Sequence, residues 1–188
     1  MPQASTTRLA RPMQLCETDV IIEYFHSASP EFLNSLGVDP SRLPDRAQWK
    51  AIFERTFALP IEHRNFFPII WEVEGKPAGF TSADKIVFGQ EAYMHLHIFQ
   101  PEQRRAGNGT FFVRESAKIY FDTLRIERLF CEPYALNVAP NRTLQAAGFK
   151  YVKTHETVPG PLNFHQPVTR WVLERGNNIE AIPTFHGE

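Results

Sequence analysis

The stretch that decides the fold reads Gln100-Pro-Glu-Gln-Arg104-Arg105-Ala106-Gly107-Asn108-Gly109-Thr110, between a predicted strand and a predicted helix. A helix N-terminus exposes unpaired N–H groups and carries about half a positive charge, so it attracts anions. The two glycines let the backbone approach a phosphate closely, and the two arginines add positive charge at the rim. We therefore predict that this segment binds a pyrophosphate group.

Two common phosphate-binding motifs do not fit this segment. The dinucleotide motif G-x-G-x-x-G requires a third glycine, and Phe112 stands at that position. A P-loop requires Gly-Lys-Ser/Thr, which does not occur here. A pair of glycines after a strand is also found in ordinary tight turns, so the surrounding elements have to decide between the two interpretations.

Hydrophobic periodicity on both sides of the segment predicts one mixed α/β domain over residues 7–175. Three helices precede a meander of three antiparallel strands, and the later part alternates between helices and strands. The predicted helices are 18–25, 30–36, 46–59, 107–123 and 140–147, and the predicted strands are 7–13, 66–75, 77–88, 91–99, 128–131, 149–156 and 168–174. Residues 1–6 and 176–188 lack periodicity and are expected to be flexible termini.

The composition excludes several classes of protein. The 188 residues are 43% hydrophobic and 22% charged, which suffices for one core, and the net charge of −1 argues against a nucleic-acid or membrane-surface partner. Cys16 and Cys131 are too few for a disulfide framework. Because no signal peptide or membrane span is evident, a cytoplasmic location is expected.

Two motifs together resemble a known family, the GCN5-related N-acetyltransferase (GNAT) superfamily. Arg104-x-x-Gly107-x-Gly109 resembles its R/Q-x-x-G-x-G/A loop, and Asn137 is followed eleven and twelve residues later by Gly148 and Phe149, as in its second motif. The opening stretch 7–12 looks most like the branch of ribosomal-protein N-acetyltransferases. The resemblance implies a central, mostly antiparallel, twisted sheet of about seven strands with one splayed parallel pair, flanked by helices.

The resemblance also implies acetyl-CoA as co-substrate, without a metal, in a V-shaped gap between residues 93–99 and 128–131. Backbone groups of Ile98 and Phe99 would meet the pantetheine and the thioester. Asn137 would bind near the pantetheine arm and Asn141 is a second candidate, although helix capping is an alternative for both. The pyrophosphate would be held by the backbone amides of Arg104, Arg105, Ala106, Gly107, Asn108, Gly109 and Thr110.

Acetyl transfer requires a neutral amine, so a base or a water chain must remove a proton. His95 and His97 are two residues apart on a predicted strand and therefore share a face, and an imidazole with a pKa near 6.5 suits this task. Either could instead simply pack within the sheet. Glu132 is a candidate for orienting the acceptor, or a solvated carboxylate. Leu144 stands where many family members carry a tyrosine acid, which puts that proton donor in doubt.

The function expected from this resemblance is acetyl transfer from acetyl-CoA, by direct attack, to a primary amine of a small molecule or a peptide N-terminus. Three alternatives remain open: a CoA-binding module without turnover, a metal-dependent hydrolase using His95 and His97, and covalent catalysis through Cys131. A homodimer is consistent with the family.

The acceptor pocket is expected to form from residues 18–59 and the loop 159–167. Aromatic and imidazole side chains in these segments favour an uncharged or aromatic acceptor over a polycation, although core packing explains them equally well. They are Phe25, His26, Trp49, Phe53, Phe164 and His165.

Overall fold

Seven strands form one sheet in the computed structural model, which describes residues 6–99 and 107–176. The strands are β1 (Arg8–Pro12), β2 (Phe67–Val73), β3 (Lys76–Val87), β4 (Glu91–Ile98), β5 (Arg128–Cys131), β6 (Lys150–Thr157) and β7 (Gln166–Glu174). The α-helices are α1 (Asp19–His26), α2 (Pro30–Ser35), α3 (Arg46–Ala58), α4 (Asn108–Leu124) and α5 (Val138–Ala147). Short 3-10 turns occur at Leu15–Glu17, Pro40–Arg42 and Ile61–His63.

The sheet has the order β1-β2-β3-β4-β5-β7-β6, and every neighbouring pair is antiparallel except β4 and β5. The parallel pairing begins at Glu91 opposite Arg128 and ends at Met94 opposite Cys131, whereas β4 continues to Ile98. Beyond Met94 the two strands therefore no longer pair. This mixed sheet with one parallel pair confirms the predicted fold class.

Helices cover both faces of the sheet, and each face has its own hydrophobic core. On one face, α4 and α5 pack on the sheet through side chains such as Phe112, Tyr120 and Leu144. On the other face, α1 and α3 pack around Phe80 and Ile70. Burying one such large side chain contributes about 1.5–3 kcal/mol, so both helical layers are fixed to the sheet.

The helix boundaries follow from local capping. The Asp45 side chain accepts a hydrogen bond from the Gln48 N–H at 2.8 Å, and the Asp45 N–H donates to Gln48 Oε1 at 2.9 Å, so α3 starts where the sequence predicts. Gly148, at φ +99°, ends α5 in the left-handed conformation. Helix α5 begins at Val138, two residues before the predicted start. Among the described helices, none combines the length and hydropathy needed to cross a bilayer.

Candidate active site

A first cavity of about 460 Å³ opens where β4 and β5 separate. One wall is the end of β4 and another is the first turn of α4. The start of α5 and the loop before it form a third wall, and Tyr24 of α1 and Phe32 of α2 also line the cavity. Its lining includes Leu96, His97, Ile98, Gly107, Gly109, Thr110, Tyr134, Asn137 and Thr143. The structure thus brings the two sequence motifs together around one cavity, as the resemblance implies.

The N-terminus of α4 faces this cavity. Gly107, which has no side chain, is the N-cap residue, and the first helical bond runs from the Phe111 N–H to the Gly107 carbonyl. The N–H groups of Gly109 and Thr110 therefore precede the helical hydrogen-bond ladder, where an anion can accept from them. Asn108, the first helical residue, is buried. Arg104, Arg105 and Ala106 lie outside the described residues.

The two glycines of this motif are required for different reasons. Gly107 has φ +70°, and a Cβ built on it would meet no atom of the described residues within 4 Å, so its backbone conformation favours glycine. A Cβ on Gly109 would lie 3.3 Å from Thr143 Cγ2 and 3.7 Å from Ile98 Cδ1. Gly109 therefore keeps the floor of the cavity open between α4, α5 and β4.

The main chain of β4 corrects one predicted contact. The Phe99 N–H donates to the Ala78 carbonyl at 3.0 Å, so it is used within the sheet and does not face the gap. Along a strand the N–H and C=O groups of successive residues alternate in direction, so those of Leu96 and Ile98 point toward β5, beyond the end of its pairing. Ile98 keeps its expected position, and Leu96, which the sequence analysis missed, takes the place assigned to Phe99.

The two asparagines of the second motif have different surroundings. Asn137 occupies the N-cap position of α5, yet its side chain makes no capping bond and it lines the first cavity. Asn141 donates to the carbonyls of Asn137 and Tyr134 and accepts from Trp171 Nε1 at 2.8 Å. Asn141 therefore fastens α5 to β7, and the structure does not bring it into the cavity. Binding by Asn137 stays a prediction.

A second cavity, of about 340 Å³, lies on the α1 and α3 side of the sheet. Its walls include Phe25, Trp49, Phe53 and Phe80, together with the loop residues 160–163. Phe25, Trp49 and Phe53 were expected in the acceptor pocket. The remaining three expected residues do not line it: the ring of His26 packs edge-on against Trp49, Phe164 packs against Tyr134, and His165 lies near Glu156.

His97 lines both cavities and therefore marks where they meet. Its ring stacks on Phe80 at 4.7 Å between centroids and contacts the rings of Tyr24 and Phe25. Burial lowers the pKa of His97 to about 3, with a further contribution from nearby His95. An imidazole with this pKa stays uncharged at neutral pH, which makes His97 a weak general base.

His95 lies beside a carboxylate that the sequence analysis did not single out. Nε2 of His95 is 3.1 Å from Oδ1 of Asp84, and both residues line the second cavity. Asp84 and His95 share a sheet face because Asp84 pairs with Tyr93 and His95 pairs with Ser82. Asp84 is the one acidic residue of strand β3, and this is the sequence signal that could have found it.

Glu132 is paired with residues that line neither cavity. Its buried carboxylate accepts from Arg170 Nε at 2.6 Å and lies 3.4 Å from His155 Nε2. Glu132 lines neither cavity. The proposed role in orienting the acceptor is therefore not supported by its position, since it pairs with β7 instead.

Leu144 and Cys131 are both buried in the core. Leu144 is fully buried in the core beneath α5, so it does not reach the first cavity. Burial raises the pKa of the Cys131 thiol well above its usual range, which disfavours nucleophilic catalysis. Within residues 6–99 and 107–176, no group of three or more His, Cys, Asp or Glu side chains could hold a metal ion.

A family model described as "Acetyltransferase (GNAT) family" matches residues 23–149. This match spans more than half of the chain, which therefore belongs to that family. No curated protein sequence matches the chain significantly.

Solved structures of similar fold include acetyltransferases of different kinds. Aminoglycoside acetyltransferase AAC(6')-Ib with coenzyme A has a TM-score of 0.65 at 16% identity, over 90% of this chain and 95% of that one. Spermidine N-acetyltransferase from Vibrio cholerae, with CoA and spermine, has a TM-score of 0.71 at 12% identity, over 89% of this chain and 95% of that one. The ribosomal L7/L12 alpha-N-protein acetyltransferase RimL, with coenzyme A, has a TM-score of 0.70 at 11% identity, over 92% of this chain and 96% of that one. At these identities the likeness establishes the fold alone.

Proposed function

We propose that the protein is an N-acetyltransferase that moves an acetyl group from acetyl-CoA to a primary amine by direct attack. The observation that carries the proposal is the first cavity, where β4 continues past the end of its pairing with β5 and the N-terminus of α4 faces the opening. Several similar structures contain CoA or acetyl-CoA, which supports the same donor for this chain.

The residues around the first cavity suit the parts of the donor. The N–H groups of Gly109 and Thr110 would bind the pyrophosphate, and the main chain of Leu96 and Ile98 would bind the pantetheine amides. One of these β4 N–H groups would also donate to the thioester oxygen, where negative charge develops in the tetrahedral intermediate. Asn137, which lines the first cavity, would hydrogen-bond the pantetheine arm.

The acceptor would enter from the second cavity and meet the thioester near His97. His95, beside Asp84, would take the first proton from the ammonium group, because the uncharged His97 is a poor base. The free amine attacks the thioester carbon, forming the N–C bond, and the C–S bond breaks. The second proton leaves the nitrogen and neutralises the departing thiolate, so the overall reaction releases one proton.

A thiol-release assay with acetyl-CoA tests this proposal across primary monoamines, polyamines, aminoglycosides and peptides. Product mass spectrometry should show a gain of one acetyl group on at least one acceptor class. Acetyl-CoA affinity is measured separately by calorimetry. Tight acetyl-CoA binding without turnover of any acceptor would instead favour the CoA-binding module, for which the supporting feature is a leucine at position 144, where many family members carry a tyrosine. Absence of acetyl-CoA binding would refute both.

A further inference from the structure

The second cavity differs in character from a site for a polycation. Its walls are mainly aromatic and aliphatic, and its volume of about 340 Å³ equals that of about eleven water molecules at about 30 Å³ each. The acidic and basic side chains in its lining, apart from histidines, are Asp84 and Arg42. One small, mostly apolar molecule would fill it.

Arg42 is already engaged at the rim. Its Nη1 donates to the Asn163 carbonyl at 2.8 Å, and its Nε lies 3.5 Å from Asp39 Oδ2. These contacts hold the guanidinium against the loop that covers the cavity. Arg42 therefore has a structural partner without any ligand.

Asp84 and His95 are not satisfied in the same way. Six buried side-chain polar atoms lack a hydrogen-bond partner within the part of the chain that the structure describes, and three are Asp84 Oδ1, His95 Nε2 and His97 Nδ1. Asp84 Oδ1 and His95 Nε2 are 3.1 Å apart but not in hydrogen-bond geometry, and their side chains are only 16% and 25% exposed. Because buried polar atoms are almost always paired, these three atoms point to a missing polar ligand.

We propose that the second cavity binds a monoamine with an apolar, aromatic-sized body, whose ammonium group is received by Asp84 and His95. An ammonium group has three donors, which can satisfy Asp84 Oδ1 while the body packs on Trp49 and Phe53. A second or third ammonium group would find no further carboxylate in this lining and would lie against aromatic walls, which is costly. The identification of this monoamine as the acetyl acceptor rests on the proposed function.

The position of His97 fits the transfer of this amine. The imidazole stays uncharged at neutral pH, so it does not repel an ammonium group and its acceptor nitrogen can receive a hydrogen bond from the amine. His95 and His97 are two strand residues apart, about 6.6 Å along β4. After proton loss to His95, the neutral amine therefore has a short path past His97 to the first cavity.

Calorimetry with the full chain tests amine binding directly, with and without CoA. The probes are phenethylamine, its neutral analogue 2-phenylethanol, and spermidine. We expect phenethylamine to bind at least about tenfold more tightly than either other probe, as one charge-assisted hydrogen bond allows. Asp84→Asn should weaken phenethylamine binding about tenfold or more and leave 2-phenylethanol unaffected. The matched control is Asp122→Asn, since that side chain is 82% exposed and lies outside the cavity; it should change neither affinity.

Three results would overturn the proposal: spermidine binding more tightly than phenethylamine, equal affinity for phenethylamine and 2-phenylethanol, or unchanged phenethylamine affinity in a folded Asp84→Asn. The comparison of amine and alcohol uses the unmodified chain, so it decides even if the variant fails to fold. Acetyl-CoA is titrated in a separate cell. If acetyl-CoA gave no binding heat while phenethylamine still bound, the proposed function would be refuted and the amine site would still be supported.

Discussion

Thr110→Asp should weaken CoA binding while leaving α4 intact. Thr110 is the third residue of α4, and its side chain lines the first cavity beside the N–H groups assigned to the pyrophosphate. An aspartate there places a negative charge where the proposed ligand carries two. The same aspartate favours the positive end of the helix, so binding and stability should change in opposite directions.

The expected loss of affinity follows from the charges. At about 5 Å, one pair of like charges costs about 1 kcal/mol in bulk water and about 3 kcal/mol at an effective dielectric constant of 20. Two phosphate charges double this cost, and physiological salt reduces it by about half. The net of about 1–3 kcal/mol corresponds to a Kd about 5- to 150-fold higher. Folding stability should rise by about 0.3–1 kcal/mol.

Thr123→Asp provides the matched control, because it makes the same substitution in the last turn of the same helix, away from both cavities. There the new charge opposes the negative helix end, so stability should fall by about 0.3–1 kcal/mol while CoA affinity is retained. Calorimetry with CoA and urea unfolding give both quantities, and raising the salt concentration should narrow the difference in CoA affinity. Equal CoA affinity in the two variants would refute the assignment of this helix end.

Further predictions concern β4 and the core. Burial lowers the pKa of His97 to about 3, so between about pH 3 and 6.5 the unfolded chain binds more protons than the folded chain. The free energy of unfolding should therefore decrease as the pH is lowered through this window, by about 1–2 kcal/mol at pH 5 relative to neutral pH. Urea unfolding at pH 5 and 7.5 should show a smaller difference in His97→Leu than in wild type. Ser116→Ala should destabilise by about 1–3 kcal/mol, since Trp71 Nε1 donates to Ser116 Oγ at 2.8 Å in the core; an unchanged urea midpoint would contradict this. Gly109→Val should weaken CoA binding at least about tenfold by adding atoms beside Thr143, whereas a calorimetric affinity like that of wild type would show that the floor is not used.

Local signals made the fold predictable. The alternation of hydrophobic residues, the capping residues and the two glycine motifs each act within about a dozen residues, and their elements lie close to the predicted ranges. The first cavity could be anticipated for the same reason. Three of its walls are the end of a strand and the starts of two helices, and the motifs mark those three places, whereas the residues that α1 and α2 add to the lining carry no motif.

The errors concern contacts that depend on register between distant strands. Whether the N–H of residue 98 or 99 faces the gap is set by the pairing of β4 with β3, in which Ala78 takes the Phe99 N–H. Glu132 is paired with Arg170, 38 residues away, and this cross-strand contact leaves no local trace in the sequence. Asp84 was missed because its partner His95 lies on the next strand.

The register of β4 also explains how one strand can serve two substrates. The main-chain groups of Leu96 and Ile98 point along the sheet plane into the gap, while the side chains of His95 and His97 point out of the plane toward the second cavity. The donor would thus be bound by backbone atoms that every amino acid possesses, and the acceptor by side chains. Under the proposed function, a change at position 95 would therefore alter the choice of amine without rebuilding the cofactor site, whereas a change at His97, which lines both cavities, would affect both substrates.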